Sequence, residues 1–517
     1  MLYFTDCFMH DKQPVFISLT IPYVNATPHI GYALEAVQGD AFARYSRLLG
    51  KDVFFVYGSD ENSLKNVQAA EKAKETVEAF VDRHAAAFQE LQTVLNLSNT
   101  DFIRTTEQRH ITGAQKLWQH CDPNDIYKKT YTGMYCVGCE AFYEEAELID
   151  GACPDHKTVP EVVEEENYFF RLSRYQKTLE EIFQQDHIAV YPPSKKNEML
   201  AFIERGLQDF SISRSVERAR GWGVPVPGDE RQMMYVWFDA LSNYINALGY
   251  ATDDTHYTKY WLQPSSQPRE VVHILGKGVA RFHLIYWIGM LLSAGIPLPT
   301  KEFIHGYITV QGEKMSKSLG NTLHPADVVA TYHTDPTRYY LLAAISAYQD
   351  GDFSHERCKE VYTADLVHGV GNLTSRILTM LVKYSDGRVP AVAEDYFDTT
   401  GFWLRYREQM DRFAFHEAIQ TVQSLVSACD TTITFRKPWE VAEKGESVAP
   451  LLYQLAEGLR HIALALLPVI PDSATEILTR LGIQADSIAP LDTASVWGGL
   501  VEGTEIYKGE SLFPRLS

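Results

Sequence analysis

The sequence has few cysteines and no long apolar run. Its 517 residues include 7 cysteines, three of which lie between positions 136 and 153. This number excludes a disulfide scaffold and is typical of a reducing compartment. The most apolar stretches, 284–292 and 462–470, are too short to cross a bilayer, and the first residues lack the apolar core of a signal peptide. We therefore expect a cytoplasmic protein without a membrane segment.

Basic residues are also in the minority. Lys and Arg total 47 against 67 Asp and Glu, which gives a formal net charge of −20. Such a chain is not a general polyanion binder, so nucleic acid would need a local basic face. We find neither internal repeats nor low-complexity segments. With 45% hydrophobic and 22% charged residues, the composition is that of a globular protein with more than one domain.

The first 60 residues follow a strand–helix–strand pattern. Positions 15–20 are apolar and β-branched, which predicts a buried strand, and 53–57 predict a second one. Between them, Thr27 and Pro28 are typical of a helix N-cap and first helical residue, and Gly50 of a helix end. A βαβ unit of this length predicts a parallel sheet.

Two short segments suit phosphate chemistry. Positions 28–32 read Pro-His-Ile-Gly-Tyr at the predicted helix start, where free N–H groups and the positive dipole end attract phosphate. Positions 314–318 read Lys-Met-Ser-Lys-Ser between glycines, which predicts a mobile cationic loop able to close on a triphosphate. Taken alone, the first segment is more typical of a surface histidine beside a helix cap, and the second is also consistent with a solvated charge run, since short Lys/Ser loops are common.

Together these segments resemble the His-Ile-Gly-His and Lys-Met-Ser-Lys-Ser signatures of class I aminoacyl-tRNA synthetases. Residues 235–244 and 281–283 are similar to the amino-acid pocket of the methionyl-tRNA synthetase family within that class. The resemblance runs from about position 15 to 514. It implies that methionine reacts with ATP to give methionyl-adenylate and pyrophosphate, and that tRNA(Met) then accepts the methionyl group. The implied partners are ATP, L-methionine and tRNA(Met), with no membrane.

The resemblance also implies an architecture. We expect an α/β fold in which a Rossmann-type parallel-sheet catalytic domain is split by a zinc-bearing connective insertion and followed by an α-helical bundle that binds the anticodon. The family's dimerising C-terminal module has no counterpart before position 517, so we expect a monomer. The predicted boundaries are 1–120 and 229–300 for the two catalytic halves, 121–228 for the insertion, 301–357 for a linking segment with the lysine loop, and 358–517 for the helical domain.

The resemblance assigns roles to individual residues of the catalytic domain. The predicted catalytic residues are His29, Tyr32, Lys314 and Lys317. The predicted ATP-binding residues are His29, Gly31, Tyr32, Glu35, Gly276, Lys277 and Lys317. A methionine pocket needs an anion for the ammonium group, an apolar wall and weak polar partners for sulfur. The predicted methionine-binding residues are Ile21, Tyr23, Asp60, Trp237, Leu241, Tyr244 and His283.

Four further residues predict a metal site. Cys136 and Cys139 are separated by two residues, as are Cys153 and His156. Three thiolates and one imidazole complete a tetrahedral shell, which suits structural zinc. Magnesium is expected with ATP.

Three residues of the helical region match the family's anticodon-reading positions. Asn372 and Arg376 are four residues apart and so share a helix face, and Trp439 follows later. Asparagine and arginine hydrogen-bond base edges, and tryptophan stacks on bases. By pattern alone these are ordinary helix-surface residues.

Three departures from the family lie near the expected nucleotide site. Tyr32 replaces the second histidine of the first signature, Asn62-Ser63 replace His-Gly, and Gly278 replaces the aspartate expected to hold the ribose. Tyr32 keeps a hydroxyl donor but carries no positive charge at neutral pH. Two alternatives therefore stay open: a tRNA-binding or regulatory protein that does not activate an amino acid, and an enzyme that activates methionine for non-ribosomal use.

Overall fold

A computed structural model describes residues 12–136, 141–143, 145–154, 157–262, 268–310, 312–314 and 322–516. The chain begins with the predicted strand–helix–strand unit and continues with further α/β elements. These elements are β1 (Pro14–Leu19), α1 (Ile30–Leu48), β2 (Asp52–Ser59), α2 (Leu64–Ala73), α3 (Val77–Gln89), α4 (Leu91–Val94), β3 (Asp101–Arg104) and α5 (Gln108–His120).

The first helix begins two residues later than the sequence predicts. Its N-cap is His29 rather than Thr27, because the Nδ1 atom of His29 accepts a hydrogen bond from the Gly31 N–H at 3.1 Å. Gly50, with φ +80°, follows the end of the helix as expected.

An antiparallel sheet follows, with strand order β5–β4–β6–β8. Val163 and Asn167 of β6 are each buried between more exposed neighbours, as expected for a sheet with one covered face. The elements of this part are β4 (Ile126–Cys136), β5 (Ala141–Tyr143), β6 (Glu161–Phe170), α6 (Gln176–Gln184), β7 (Ala189–Tyr191), α7 (Pro193–Glu204), β8 (Phe210–Ser211), β9 (Ser213–Ser215) and β10 (Gln232–Met234).

The main sheet has six parallel strands in the order β3–β2–β1–β11–β12–β7. After β1 the chain forms β2 and β3 on one side of it, whereas β11 and β12 lie on the other side. The carboxyl ends of β1 and β11 therefore border the crevice where such sheets bind ligands. The additional elements are α8 (Val236–Leu241), α9 (Asn243–Ala247), a π-helical turn (Tyr257–Leu262), β11 (Glu270–Gly276), a second π-helical turn (Phe282–Trp287), α10 (Ile288–Ser293) and β12 (Lys301–His305).

One strand differs from the predicted domain boundaries. β7 lies within 121–228, which the sequence predicts to be an insertion, yet it pairs with Lys301–Phe303 of β12 as an edge strand of the main sheet. It is only three residues long, and its pairing partner lies more than 100 residues away, so local sequence does not reveal the pairing.

The last part of the chain is mostly helical, and helices α14, α15, α16, α18 and α19 pack against one another. A small sheet, β14–β13–β15, precedes most of them. The elements are β13 (Ile308–Val310), β14 (Glu313–Lys314), α11 (Pro325–Tyr332), α12 (Thr334–Ala343), β15 (Gly351–Phe353), α13 (His355–Val361), a π-helical segment (Tyr362–Gly371), α14 (Asn372–Tyr384), α15 (Thr399–Asp411), α16 (Phe415–Arg436), α17 (Pro438–Glu443), α18 (Ala449–Leu466), α19 (Pro471–Arg480) and α20 (Leu491–Ala494).

Arg338 of α12 joins the helical part to the parallel sheet. Its fully buried guanidinium lies 2.7 Å from the Asp40 carboxylate of α1. It also donates to the carbonyls of Leu95, at 2.9 Å, and of Pro468 and Val469, both at 3.0 Å. One continuous hydrophobic cluster spans the same boundary, from Val15 in β1 to Phe513.

Within the described part of the chain, no helix combines the length and the apolar character that crossing a membrane requires.

Candidate active site

A cleft of about 740 Å³ opens at the carboxyl end of the parallel sheet. Thr20 follows β1, Asp60 follows β2 and Gly276 ends β11, and all three line it. The cleft therefore occupies the crevice beside the switch in strand order, where the fold leaves room for a ligand.

The structure brings all predicted methionine residues to this one cleft. Three of them follow β1 and β2, two lie on α8, one on α9 and one on the second π-helical turn. The residues are Ile21, Tyr23, Asp60, Trp237, Leu241, Tyr244 and His283.

Tyr244 and His283 form a buried hydrogen-bonded pair. The Nδ1 atom of His283 lies 3.0 Å from the Val279 carbonyl, so it carries the proton, and its Nε2 atom accepts from the Tyr244 hydroxyl. Burial lowers the pKa of His283 to about 4, so the imidazole is neutral at physiological pH. Tyr244 therefore donates its hydroxyl proton to His283, and the hydroxyl oxygen can still accept a hydrogen bond.

Aromatic rings form one wall of the cleft. Trp237 stacks on Phe282 with ring centroids 3.7 Å apart and planes 4° from parallel, and Tyr23 lies 6.5 Å from Trp237. The Lys65 ammonium lies 4.7 Å above the Tyr23 ring and also lines the cleft. Sequence reasoning included Phe282 in the pocket-like stretch 281–283 without naming it as a methionine-binding residue, and it assigned no role to Lys65.

Asp60 is held where β1 and β2 end. Its backbone N–H donates to the Pro22 carbonyl at 2.9 Å, and its own carbonyl accepts from Asn66 at 3.0 Å. The Asn62 N–H donates to Asp60 Oδ1 at 3.3 Å. The side chain is 2% exposed at the cleft surface, so an ammonium group bound there would be largely desolvated.

The start of α1 differs from the expectation of free N–H groups. Ile30 donates to the Leu323 carbonyl at 2.9 Å and Gly31 to the His29 ring, while Tyr32 and Ala33 donate to the His29 carbonyl at 3.0 and 3.2 Å. The prediction that these N–H groups are available to phosphate is therefore wrong for this structure.

His29 keeps one proton donor at the cleft. Because Nδ1 accepts from Gly31, the ring proton lies on Nε2. Partial desolvation, with a smaller contribution from His324, lowers the pKa of His29, so the ring is neutral at physiological pH.

Tyr32 is directed into the protein. Its hydroxyl donates to the Thr20 carbonyl at 3.2 Å, and its ring packs edge-on against Phe88. Burial, followed by nearby Glu35, raises the pKa of the phenol well above 10. Neither Tyr32 nor Gly31 belongs to the described residues that line the cleft.

Glu35 and His305 form a buried pair at the floor of the cleft. Glu35 accepts from the Thr20 N–H at 2.9 Å and lies 2.8 Å from His305 Nε2. His305 Nδ1 lies 2.7 Å from the Gly306 carbonyl. Gly276 borders the pair, since a Cβ there would be 3.5 Å from the His305 ring. Sequence reasoning missed His305, which lies nine residues before Lys314.

The three predicted lysines differ in their surroundings and in how far the structure describes them. Lys277 forms a 2.7 Å ion pair with Asp350 and does not belong to the described cleft lining. The backbone of Lys314 is part of β14 and pairs with Thr309. Lys317 lies outside the described residues.

Asn62 and Ser63 have local structural partners. Asn62 donates to the Asp239 carboxylate of α8 at 2.8 Å and to the Thr105 carbonyl at 3.1 Å. The Ser63 hydroxyl caps α2 by accepting from the Lys65 N–H at 3.0 Å. This departure from the family therefore sits beside the cleft without lining it.

Two of the four predicted zinc ligands are described. Cys136 ends β4 and Cys153 directly follows the bridge between Ile149 and Ala152, and both side chains are buried. Cys139 and His156 lie outside the described residues. Among the residues that are described, no cluster of three metal-ligand side chains occurs, so the zinc site stays a prediction.

The predicted anticodon residues lie on two helices. Asn372 and Arg376 are on α14, and Arg376 is ion-paired with Asp430 of α16. Trp439 is on the short helix α17 and is 37% exposed.

Comparison with known proteins identifies the class first. The profile of the family described as tRNA synthetases class I (M) matches residues 15–159 and 148–378. Methionine–tRNA ligases of Thermotoga maritima and Rhizobium meliloti are each 39% identical to the chain, over 97% and 98% of its length and 80% and 99% of theirs. A structure of Mycobacterium tuberculosis methionyl-tRNA synthetase in complex with methionyl-adenylate is 36% identical, with a TM-score of 0.89 over 97% of this chain and 100% of that one. The chain belongs to the methionyl-tRNA synthetase family.

Proposed function

We propose that this chain activates methionine with ATP and transfers the methionyl group to tRNA(Met). The observation that carries the proposal is the convergence of seven predicted methionine residues on one cleft at the switch in strand order. The names of the related ligases and the adenylate-bound structure support the same reaction.

In the first step the methionine carboxylate attacks the α-phosphate of ATP, and pyrophosphate leaves. In the second, a hydroxyl of the terminal tRNA ribose attacks the methionyl carbonyl, and AMP leaves. Such steps need positioning and charge stabilisation more than covalent help from the protein. Magnesium bound with ATP supplies positive charge on the phosphates when present.

In this proposal the cleft residues and the lysine loop supply distinct contributions. Asp60 pairs with the methionine ammonium, and the Trp237–Phe282 stack packs against the thioether. The Tyr244 hydroxyl, fixed by His283, lies beside the sulfur. His29 Nε2–H donates to phosphate oxygens, and Lys314 and Lys317 compensate the charge of the departing pyrophosphate.

The finer architecture is part of the proposal. Cys136, Cys139, Cys153 and His156 would hold one structural zinc ion, and the buried thiols of Cys136 and Cys153 fit that role. The helical part would read the anticodon through Asn372, Arg376 and Trp439. A cytoplasmic location and a monomeric state stay predictions.

The test is methionine-dependent ATP–pyrophosphate exchange, followed by charging of tRNA(Met). Exchange with charging supports the proposal. No exchange above background contradicts it in favour of a tRNA-binding protein, and exchange without charging favours non-ribosomal use. Trp439→Ala should raise the KM for tRNA while leaving exchange intact, and equal loss of both activities contradicts the anticodon assignment.

A further inference from the structure

Tyr307 occupies the space beside Gly278. A Cβ atom built on Gly278 would lie 1.9 Å from the Tyr307 hydroxyl oxygen and 3.2 Å from the ring carbon that bears it. With Tyr307 placed as it is, position 278 therefore has no room for a side chain.

Both residues line the cleft, at the ends of neighbouring strands. Gly278 follows β11 and Tyr307 follows β12. Gly278 thus marks the β11 side of the crevice between β1 and β11, opposite the start of α1, and the Tyr307 hydroxyl projects to that point. A nucleotide whose phosphates lie near His29 would reach this side of the crevice with its ribose.

The backbone and one face of Tyr307 are fixed by neighbours. Its N–H donates to Asp350 at 2.9 Å, and its carbonyl accepts from the Gly351 N–H at 2.9 Å. Lys277, which is bound to Asp350, places its ammonium 4.7 Å above the ring centroid. The Tyr307 hydroxyl lies beside Gly278, which also lines the cleft, so a ligand in the cleft can reach it.

We propose that the Tyr307 hydroxyl binds a ribose hydroxyl of ATP, in the position that a side chain on residue 278 would otherwise occupy. A phenol both donates and accepts, as each ribose hydroxyl does, so one such group forms the contact without a carboxylate. The inference rests on the proposed function, since it requires ATP in the cleft.

The experiment measures ATP–pyrophosphate exchange with ATP, 2′-deoxy-ATP and 3′-deoxy-ATP. Tyr307→Phe should raise the KM for ATP about three- to tenfold, as expected for one hydrogen bond, without changing the KM for methionine. It should also reduce the preference for ATP over one of the deoxy analogues by the same factor. That preference is a ratio within one preparation and so does not depend on the folded fraction.

Tyr507→Phe is the matched control, because Tyr507 is similarly exposed, at 47% against 40% for Tyr307, and lies near the end of the chain. It should leave the KM values for ATP, 2′-deoxy-ATP and 3′-deoxy-ATP unchanged. Adding Gly278→Asp to Tyr307→Phe should restore the preference for ATP, because the new carboxylate takes the vacated place.

An unchanged preference for ATP in Tyr307→Phe overturns the inference. If only Tyr307→Ala weakens ATP binding, the ring stacks on the base and the hydroxyl role is likewise rejected. All these outcomes require that the unsubstituted protein catalyses ATP–pyrophosphate exchange. If it does not, the proposed function is contradicted instead.

Discussion

The proposed methionine end and the proposed nucleotide end of the cleft are built differently. At the methionine end, every predicted residue lines the cleft, and Tyr244 and His283 already satisfy each other. At the nucleotide end, His29, Glu35 and Gly276 line it, whereas Lys277 is bound to Asp350. Side chains fixed by strand ends and buried helices adopt their positions without substrate. We therefore expect Lys277 to contact a nucleotide only after it leaves Asp350.

The largest effect should come from substitutions of His29, and two of them distinguish its capping role from its proposed role in catalysis. His29→Ala removes the Nε2–H donor and should lower the exchange rate about tenfold to a thousandfold. It also removes the cap on α1 and should lower the free energy of unfolding by about 1 kcal/mol. His29→Asn keeps a capping oxygen, so it should lose exchange but not stability. Full exchange in His29→Asn would remove the phosphate role.

At the methionine end, Asp60→Asn should raise the KM for methionine about ten- to a hundredfold, because a charge-assisted hydrogen bond to the ammonium is lost. The KM for ATP should not change. Asp486→Asn, at an exposed surface position, is the matched control. A parallel rise of both KM values would show that Asp60 supports the cleft as a whole rather than the amino acid.

Tyr244→Phe should have a smaller effect, about a three- to tenfold rise in the KM for methionine, because it removes one hydrogen bond and leaves His283 Nε2 without its donor. Tyr406→Phe removes an equally buried hydroxyl, bonded to the Ala465 carbonyl at 2.6 Å, far from the cleft. It should lower stability by a similar amount without changing the KM. If both variants behave alike, the Tyr244 effect reports stability alone.

The smallest effect should be the pH dependence of methionine binding. Since the pKa of His283 is lowered to about 4, the ring is a neutral acceptor throughout the physiological pH range. The KM for methionine should therefore change less than about twofold between pH 6 and pH 8 and rise only as the pH falls toward that pKa, where protonation removes the acceptor. A rise centred near pH 6.5 would show that His283 titrates as an exposed histidine and would contradict the buried pair.

The fold was predictable where the signal is local. The apolar runs and glycine near positions 15, 50 and 53 predict β1, α1 and β2 to within about two residues, and the motif residues around 237 and 283 predict the pocket. Contacts between distant segments leave no such pattern. Tyr307 filling the space of Gly278, His305 beneath Glu35, and β7 on the edge of the sheet each depend on packing across many residues of chain.

The buried position of Arg338 has a consequence for how the protein unfolds. Its guanidinium is shared by the first helix, the loop after α4 and the link between α18 and α19. Separating the helical part from the sheet would break the ion pair of Arg338 with Asp40 and its hydrogen bond to the Leu95 carbonyl, and would expose the hydrophobic cluster that spans the boundary. Heating or denaturant should therefore melt sheet and helices in one cooperative transition, with no stage in which either survives alone.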